Sequence, residues 1–561
     1  MYRKSSKWIS SNSNGFTLIE LLAVILILGI ITLIAIPVVN VIIINAKKSL
    51  AENSTYGYVN AIENNFMQNI LNDINDHTKQ DGIYDIDNIG SIDVKGKKPE
   101  QICVNLKDGY VQSGTFKFDK YIVQYDNGKA KVNDSLTNIS CTITVSDDLF
   151  NATKGVNIPQ IVNGMTPIKW VNGIETATNT NDPNWYDYSS KMWANAKTAD
   201  GSYWVWIPRF AYKITSGYHS NIAGNISVKF LRGTSDKAID GTNIKTNGYV
   251  AGSSDTSMNY FTHPAFQNNI NQTGFWIAKF EPTAAEGVAN GYTADSSCPT
   301  VGDNVPTKTI KVLPNVSSWR CNNVANAYKA SVAMKTNAVY GWSAVNVDTH
   351  METNLEWGAV YYLTLSAYGA NNNEVYINNN QNYITGCAGN TASAGIVTAC
   401  DNPYNSVIGV KASTTWNITG VYDMSGGSWE RTMAVYNNSL ASSGFTAAEY
   451  NNLPTHHITK YTTAISDLLN GVGMDYDKSV YGDGIYETSA GANRYNGTAW
   501  IGSDQGEWHT EYSYLPYTPN LWFNRSASFN STFIAGPGGF SLTGGGAYSS
   551  NSFRPVVSFL K

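Results

Sequence analysis

Charged residues are scarce in this chain: Asp, Glu, Lys and Arg make up 14% of its 561 residues, whereas about 25% is usual. The 38 Lys and Arg against 43 Asp and Glu give a net charge of −5. Because basic residues are not in surplus, the sequence argues against a nucleic-acid-binding protein, which needs cations to offset phosphates. Disorder is excluded as well, since 42% of the residues are hydrophobic and 12% are aromatic.

Motifs of several enzyme classes are absent too. The sequence has no GxSxG nucleophile elbow, HExxH pair, Walker loop or GxGxxG fingerprint. Its 7 His are scattered, and the one adjacent pair is His456-His457. Neighbouring side chains point in different directions, so this pair is not expected to share a metal ion. The sequence predicts no catalytic residues and a protein that is not an enzyme.

One acid-rich stretch punctuated by glycine is a candidate for a metal site, and its members are Asp475, Asp477, Asp483 and Glu487. Oxygen ligands at such spacing could hold Ca²⁺. The stretch departs from the pattern of an EF-hand loop, however, and a solvated acidic loop is the alternative. No other cofactor is predicted.

The chain does have a long apolar segment near its N-terminus. Residues 1–15 contain three basic residues and no acid, and the chain carries no charge from Leu21 to Val39. As a helix, this uncharged run spans about 28 Å, close to the hydrocarbon thickness of a bilayer. Basic residues on its N-terminal flank favour a cytoplasmic N-terminus. The sequence therefore predicts a single membrane pass, with the rest of the chain outside the cytoplasm.

Where the basic N-terminal segment meets the apolar run, residues 15–20 read GFTLIE. A basic leader ending in glycine, then Phe-Thr-Leu-Ile-Glu and an apolar helix, resembles a type IV prepilin. The resemblance implies cleavage after Gly15 by a prepilin peptidase and N-methylation of the new terminal amine of Phe16. It also implies that Glu20 neutralises a positive amine in the assembled filament, which gives a buried carboxylate its partner. Pro37 falls where pilins place a proline that loosens the helix.

Hydrophobic periodicity extends the helix beyond the apolar run. Apolar residues at spacings of three and four predict one buried helix face: Val59, Ile62, Phe66, Ile70 and Ile74. A small antiparallel sheet is predicted between about residues 91 and 145, with a hairpin turn at 126–128 (Asp-Asn-Gly). The predicted pilin-like domain is 16–145, with its helix over 16–76.

Tryptophan marks the next boundary, because fourteen of the 15 Trp lie from Trp170 onward. Residues 146–165 are polar, contain Gly and Pro without a clear period, and predict a linker. The predicted organisation is a leader over 1–15, the pilin-like domain, this linker, and a large head over 166–561.

The head alternates short apolar-aromatic runs with loops rich in Gly, Asn and Ser. Strands are predicted at 202–214 and 274–281, and a helix at 353–369 with Thr353 as its N-cap and Gly369 as its C-cap. The predicted fold class is therefore α+β: a long N-terminal helix on a small antiparallel sheet, followed by a large loop-rich domain.

Five segments of the head are GSYWVWIPRFAYKI, GFWIAKFE, TNLEWGAVYYL, GVYDMSGGSWE and the closing LWFNRSASF…FRPVVSF. In this order they resemble the formylglycine-generating-enzyme-like family, a variant of the C-type lectin fold. The resemblance implies a C-type-lectin-like head. Enzymes of that family use a pair of reactive cysteines near the C-terminus, and this chain has no Cys after Cys400. The activity is therefore not expected here.

The 6 Cys of an exported chain predict disulfides. Two pairs are predicted from proximity in the sequence, Cys298–Cys321 and Cys387–Cys400. A third, Cys103–Cys141, would tie the small sheet that these residues flank, and two independent buried thiols are the alternative.

The end of the head resembles the region where lectin-fold binding proteins carry their variable contact surface. The candidate contact residues have aromatic faces or hydrogen-bonding tips, and they are Trp522, Asn524, Arg525, Asn530, Tyr548 and Asn551. Aromatic rings stack on sugars or protein hot spots, and Arg adds bidentate contacts. For Trp522, a place in the core is the alternative.

Together the two resemblances imply an exported type IV pilin-like subunit, minor or at the tip, that displays a lectin-fold binding head for adhesion. Its expected partners are a prepilin peptidase, other pilin subunits, the membrane and an unknown glycan or protein ligand, and it would lie at the cell surface on a pilus. One alternative is a surface-anchored enzyme of the formylglycine-generating-like family with altered chemistry. The other is a pseudopilin of a secretion or DNA-uptake system.

Overall fold

A computed structural model describes most of the chain. The described residues are 17–72, 82–85, 92, 94, 97–107, 110–126, 128–134, 139, 149–241, 244, 253–267, 272–288, 298, 303–342, 347–371, 373–464 and 473–559. They form two compact units, residues 1–143 and 144–561. Both units mix helix and strand, and the fold class is α+β as predicted.

The first unit is one long helix on a small antiparallel sheet. The helix, α1, spans Leu18–Asn72. The strands are β1 Gly82–Asp85, β2 Gln101–Lys107, β3 Tyr110–Phe118, β4 Tyr121–Asp126 and β5 Lys129–Val132. They pair in sequence order, each antiparallel to the next. The turn between β4 and β5 includes Gly128 at φ +81°, a backbone conformation that glycine adopts without strain. This is the predicted hairpin.

One face of the second half of α1 builds the core of this unit. Ala51, Tyr58, Val59 and Ile62 are at most 4% exposed and belong to one apolar cluster with inward-facing side chains of the sheet. Their spacing of three, four and seven is that of one helix face. The predicted stripe is thus confirmed at Val59 and Ile62. The side chains of Phe66 and Ile70, and all of Ile74, lie outside the described residues.

Side chains of α1 also satisfy the backbone of the sheet. Glu52 accepts a hydrogen bond from the N–H of Val132 at 2.9 Å, and the Tyr56 hydroxyl accepts one from the N–H of Ala130 at 2.8 Å. Both donors lie in β5, which is the edge strand of the sheet. An unpaired edge strand invites pairing with another chain. Here the helix occupies part of that hydrogen-bonding edge.

The second unit contains the remaining elements. Its helices are α2 Asp255–Met258, α3 Val324–Ala333, α4 Asn354–Leu365 and α5 Ala447–Asn451. Its strands are β6 Phe150–Asn151, β7 Val156–Asn157, β8 Thr166–Val171, β9 Ile174–Ala177, β10 Asn195–Lys197, β11 Tyr203–Pro208, β12 Phe210–Ser216, β13 Asn225–Phe230, β14 Phe261–Thr262, β15 Gly274–Ala278, β16 Thr283–Ala284, β17 Ile310–Lys311, β18 Val347–Met351, β19 Trp429–Tyr436, β20 Thr459–Tyr461, β21 Arg494–Tyr495, β22 Trp500–Ile501, β23 Trp522–Arg525, β24 Phe540–Thr543, β25 Asn551–Phe553 and β26 Pro555–Phe559.

Two larger sheets organise the second unit. The first has the order β18-β26-β15-β11-β10-β8-β9 and is antiparallel throughout. The second has the order β20-β19-β23-β24, and β25 pairs with β19. Every residue of β11, β15, β18 and β26 is buried. Strands β11 and β15 are apolar-aromatic along their length because both faces of the sheet are covered, whereas β18 also buries the polar residues Asp348 and His350.

The helix predicted from the TNLEWGAVYYL run is α4, and its N-terminus is confirmed. Thr353 and Glu356 form a capping box: the Thr353 hydroxyl accepts from the N–H of Glu356, and Glu356 accepts from the N–H of Thr353. The predicted C-cap is wrong, because the helix ends at Leu365 and extended Ser366 follows it. Gly369 instead allows a close approach, since a Cβ there would lie 2.5 Å from the Cα of Thr364.

The segment that the sequence predicts as a linker, 146–165, is folded into the second unit from Phe150 onward. Strands β6 and β7 form a short hairpin there, and Val156 is fully buried in the main core. The Asn157 side chain donates to the carbonyls of Gly233 and Thr273, both at 2.9 Å. These buried hydrogen bonds fix a polar sequence in place, which composition by itself does not reveal.

Replacing Ile62 by Ala is expected to destabilise the first unit by about 2–5 kcal/mol, because the truncation leaves a cavity in a closed core. Hydrogen-exchange mass spectrometry of the full chain in detergent would measure the loss on β3 and β4. Asn60→Ala is the matched control, since Asn60 is exposed on the same helix. Equal protection in the two variants would contradict the described packing of the helix on the sheet.

Candidate functional site

The N-terminal end of α1 carries the first candidate site. The Glu20 carboxylate accepts hydrogen bonds from the backbone N–H and the hydroxyl of Thr17, both at 2.9 Å. The acid is thereby held at the positive end of the helix dipole. Gly15 and Phe16 lie outside the described residues. Pro37 lies within α1, and the helix continues past it without a break.

The first half of α1 is an uncovered apolar surface. From Leu18 to Ile44 its described large apolar side chains are between 40% and 85% exposed. The helix is long and apolar enough to cross a membrane, with a mean hydropathy of 3.1 over its most apolar stretch. Each such side chain gains about 1.5–3 kcal/mol on full burial. This surface therefore belongs in lipid or against other apolar helices.

The structure separates the six candidate contact residues near the C-terminus into two groups. Trp522, Asn524, Arg525 and Asn551 are at most 5% exposed, whereas Tyr548 is 46% exposed and Asn530 is also exposed. The expectation of surface contact does not hold for the four buried residues.

The physical reason is the position of β23. This strand pairs with β19 on one side and β24 on the other, so its side chains meet the core. The Trp522 ring stacks on Phe445 at a centroid distance of 6.0 Å. The Arg525 guanidinium donates to the carbonyl of Asp483 at 3.1 Å. Both side chains are therefore part of the core, which is the alternative stated above for Trp522.

An exposed aromatic cluster that sequence reasoning missed lies nearby. We call it the aromatic patch, and its members are Tyr495, Trp500, Tyr514 and Tyr517. The Trp500 centroid lies 5.0 Å from those of both Tyr514 and Tyr517, and the Tyr495 and Tyr517 rings are 4.8 Å apart. Trp500 is 38% exposed. Partly exposed rings of this kind combine apolar area with polar edges, which suits ligand contact.

Local sequence explains how the aromatic patch is presented. Strands β21 and β22 form a hairpin, in which the Asn496 side chain accepts from the N–H groups of Thr498 and Ala499. Gly497 follows Asn496 with φ +94°, which supports a tight turn. The Asn-Gly pair in YNGTAW was the available signal for this hairpin.

A buried ion pair holds the chain end in the first large sheet. The Arg554 guanidinium binds both carboxylate oxygens of Glu430 and also donates to the carbonyls of Ala278 at 2.7 Å and Tyr422 at 2.9 Å. Burial raises the pKa of Glu430 to about 7, although the positive charge of Arg554 acts in the opposite direction. Such a pair fixes a unique arrangement, because breaking it would leave a buried charge unpaired.

The four acids proposed for calcium do not form one site. Asp483 accepts from the Tyr461 hydroxyl, and Glu487 accepts from the hydroxyls of Tyr212 and Tyr362. Asp477 binds local backbone and hydroxyl groups, and Asp475 is partly exposed and faces Arg494 at 3.8 Å. Within the described ranges, none of these acids belongs to a group of three side chains at metal-binding distance.

Two of the three predicted disulfides form. Cys298–Cys321 and Cys387–Cys400 join with Cα atoms 5.5 and 5.4 Å apart. Cys141 lies outside the described residues, so the pairing Cys103–Cys141 stays a prediction.

A buried carboxyl pair lies in the loop that leads to the aromatic patch. The Tyr361 hydroxyl donates to Glu507 at 2.6 Å, and the Gly538 N–H donates to Glu511 at 2.6 Å. Burial raises the pKa of Glu511 to about 7. Burial raises the pKa of Glu507 well above its usual range, and the neighbouring charge of Glu511 is the next largest cause of this rise. The pair therefore holds protons at a pH where exposed carboxyls have lost theirs.

Comparison with known protein families finds one match. The family described as "Prokaryotic N-terminal methylation motif" matches residues 10–36. No curated protein matches the chain. The matched segment includes the GFTLIE sequence and the apolar part of α1. The protein thus has a type IV pilin-like N-terminus, with a motif that implies processing by a prepilin peptidase and assembly with other pilin subunits.

Replacing Glu511 by Gln is expected to change how stability depends on pH. The folded carboxyl keeps its proton up to about pH 7, whereas an unfolded glutamate loses it near about pH 4.3. Between these values the folded state binds more protons, so wild-type stability falls as pH rises. Gln does not ionise, so the free energy of unfolding of the variant should not fall in this way. Relative to the wild type, it should rise by about 1–3 kcal/mol between about pH 5 and about pH 8.

Urea unfolding followed by tryptophan fluorescence would measure this difference in the full chain. Asp401→Asn is the control, because Asp401 is an exposed carboxylate of the same unit. A variant curve that runs parallel to the wild-type curve over this pH range would contradict the burial of a protonated Glu511.

Proposed function

We propose that this protein is an exported type IV pilin-like subunit, a minor or tip component, that displays a binding head at the cell surface. The observation that carries the proposal is the uncovered apolar half of α1, which begins inside the matched segment, 10–36, and has one acid, Glu20. Lipid covers this surface before assembly, and neighbouring pilin helices cover it afterwards.

Processing follows from the motif in this proposal. A prepilin peptidase cleaves between Gly15 and Phe16, and the new amine of Phe16 is methylated. In a filament, Glu20 of one subunit neutralises the terminal amine of the next. The hydrogen bonds of Glu20 to Thr17 in the single chain support this role, since they hold the carboxylate at the helix end where a second amine could reach it.

The size of the second unit supports a minor or tip position. This unit takes up residues 144–561, most of the chain. A head of that size on every subunit would crowd a filament in which helices pack tightly. A subunit at the tip avoids this crowding and also exposes its head to ligands.

We propose further that the head, over residues 166–561, has a C-type-lectin-like fold and binds a glycan or protein without turning it over. The antiparallel insertion of β26 between β18 and β15, fixed by Arg554 and Glu430, is consistent with such a fold. The absence of Cys after Cys400 supports binding over the chemistry of the formylglycine-generating family. The aromatic patch supplies the contact surface, because Trp500 is exposed and its three Tyr partners are partly exposed.

Mass spectrometry of the mature chain tests the assembly part of the proposal. We expect a chain that starts at N-methylated Phe16. We expect Glu20→Gln to be cleaved normally but lost from sheared filaments, since the variant has no charge to pair with an amine. Glu100→Gln, which changes an exposed carboxylate of the same unit, is the control and should enter filaments. A chain that retains residues 1–15 on the cell surface would refute the proposal.

A glycan array probed with the full chain in detergent tests the head. For any retained glycan, Trp500→Ala should weaken binding by about tenfold or more, because the central ring of the aromatic patch is removed. Phe533→Ala is the matched control, since Phe533 is an exposed aromatic residue outside the patch. Unchanged binding of the Trp500 variant would exclude the patch as the contact surface.

A further inference from the structure

A cluster of histidines and acids lies inside the second unit, away from the aromatic patch in sequence. Asp348 and His350 project from β18, and Glu356 lies in the first turn of α4. His456 and His457 come from the 3₁₀ turn Thr455–His457 that follows α5. Four of these side chains are at most 9% exposed, and that of His456 is 19% exposed.

Three of these residues direct ligand atoms to one point. The Nε2 of His457 lies 3.0 and 3.2 Å from the two carboxylate oxygens of Asp348, and the Nε2 of His456 lies 3.5 Å from one of them. All three ligand atoms lie within 4.8 Å of one another. The sequence expectation that the adjacent histidines diverge is wrong, because the 3₁₀ turn sets their rings 4.3 Å apart with both Nε2 atoms facing Asp348.

One atom of the cluster has no hydrogen-bond partner. The Nε2 of His456 is buried and makes no hydrogen bond with any described residue. Its distance of 3.5 Å from Asp348 is too long for a good hydrogen bond. Leaving a buried ring nitrogen without a partner destabilises the folded chain. Coordination of a cation between His456 and Asp348 would satisfy it.

The groups around these three residues hold them in the orientation that a metal ion requires. The Tyr328 hydroxyl lies 2.8 Å from Nδ1 of His457, so this nitrogen can carry the ring hydrogen and donate it to Tyr328 when Nε2 coordinates a metal ion. His350 contacts Oδ2 of Asp348 at 2.9 Å and Glu356 at 2.9 Å, and thus helps to fix the Asp348 carboxylate in place. Outer partners of this kind are typical of metal ligands.

The spacing also agrees with a tetrahedral ion. Bonds of about 2.0–2.1 Å to nitrogen and oxygen place neighbouring ligand atoms about 3.3 Å apart in a tetrahedron. The observed separations from Asp348 are 3.0 Å for His457 and 3.5 Å for His456. Two imidazoles and one carboxylate form a ligand set that suits Zn²⁺ better than Ca²⁺, which prefers six or more oxygen atoms.

We propose that Asp348, His456 and His457 form a zinc site. The ion joins β18, the edge strand of the first large sheet, to the turn that precedes β20, the edge strand of the second. The partly exposed ring of His456 gives the ion access from solvent. Three protein ligands leave a fourth position for water. Because the metal binds the folded head, it also stabilises it.

The test uses the full chain purified in detergent, stripped with a chelator and titrated with Zn²⁺ alone. Bound metal is counted by mass spectrometry, and Co²⁺ replaces Zn²⁺ to report tetrahedral coordination by its visible absorption. We expect about one zinc per chain, a higher midpoint of thermal unfolding with zinc, and a loss of more than about 100-fold in affinity in His456→Ala. We expect this variant to keep its fold, since the substitution removes no hydrogen bond of the His456 Nε2 within the described residues.

His509→Ala is the matched control, because the His509 side chain is 18% exposed and faces Glu374 at 3.6 Å, outside the cluster. It should bind zinc like the wild type. Zinc binding that is equal in the His456 and His509 variants would overturn the proposal, as would a full chain that takes up no zinc. Tetrahedral cobalt absorption that disappears only in His456→Ala would support it.

Discussion

The two halves of helix α1 lie in different environments. From Leu18 to Ile44 its large apolar side chains are exposed, and from Ala51 to Ile62 one of its faces is closed over by a sheet. Apolar surface of the first kind is stable only in lipid or against other apolar surfaces. The protein therefore depends on the membrane before assembly and, in our proposal, on neighbouring subunits afterwards. Thr17 and the helix end stabilise the charge of Glu20 within this surface.

The second unit buries many polar side chains, and each of them needs hydrogen-bond partners inside the protein. Arg554 is fully enclosed and tolerated because Glu430 and two carbonyls take up its donors. Glu487 is enclosed and accepts from three hydroxyls and one backbone N–H. A buried polar network of this kind explains why a chain poor in charge can still define one arrangement of long loops. Arg525 is buried through its bond to the Asp483 carbonyl, whereas Trp522 is buried against Phe445 in the apolar core.

Short-range patterns allowed much of this structure to be predicted. The capping box at Thr353 and Glu356, the Gly128 turn, the helix face at Val59 and Ile62, and the disulfide Cys387–Cys400 each depend on residues close together in the sequence. The linker prediction for 146–165 failed because Asn157 is fixed by Gly233 and Thr273, which are far away in the chain. The exposure of Trp522, Asn524 and Arg525 was not predicted correctly, since nothing local indicates that β23 lies between two other strands.

The sequence by itself determined the apolar helix, the type IV pilin-like N-terminus and the α+β class, because charge, hydropathy and turn residues act over a few neighbouring positions. Only the tertiary structure decided which polar side chains meet. Asp348 and His457 are far apart in the sequence. The pairing of β18 with β26 and the 3₁₀ turn after α5 nevertheless bring the Nε2 of His457 to 3.0 Å from an Asp348 carboxylate oxygen. Contacts of this kind depend on how the whole chain packs, and no local pattern of residues encodes them.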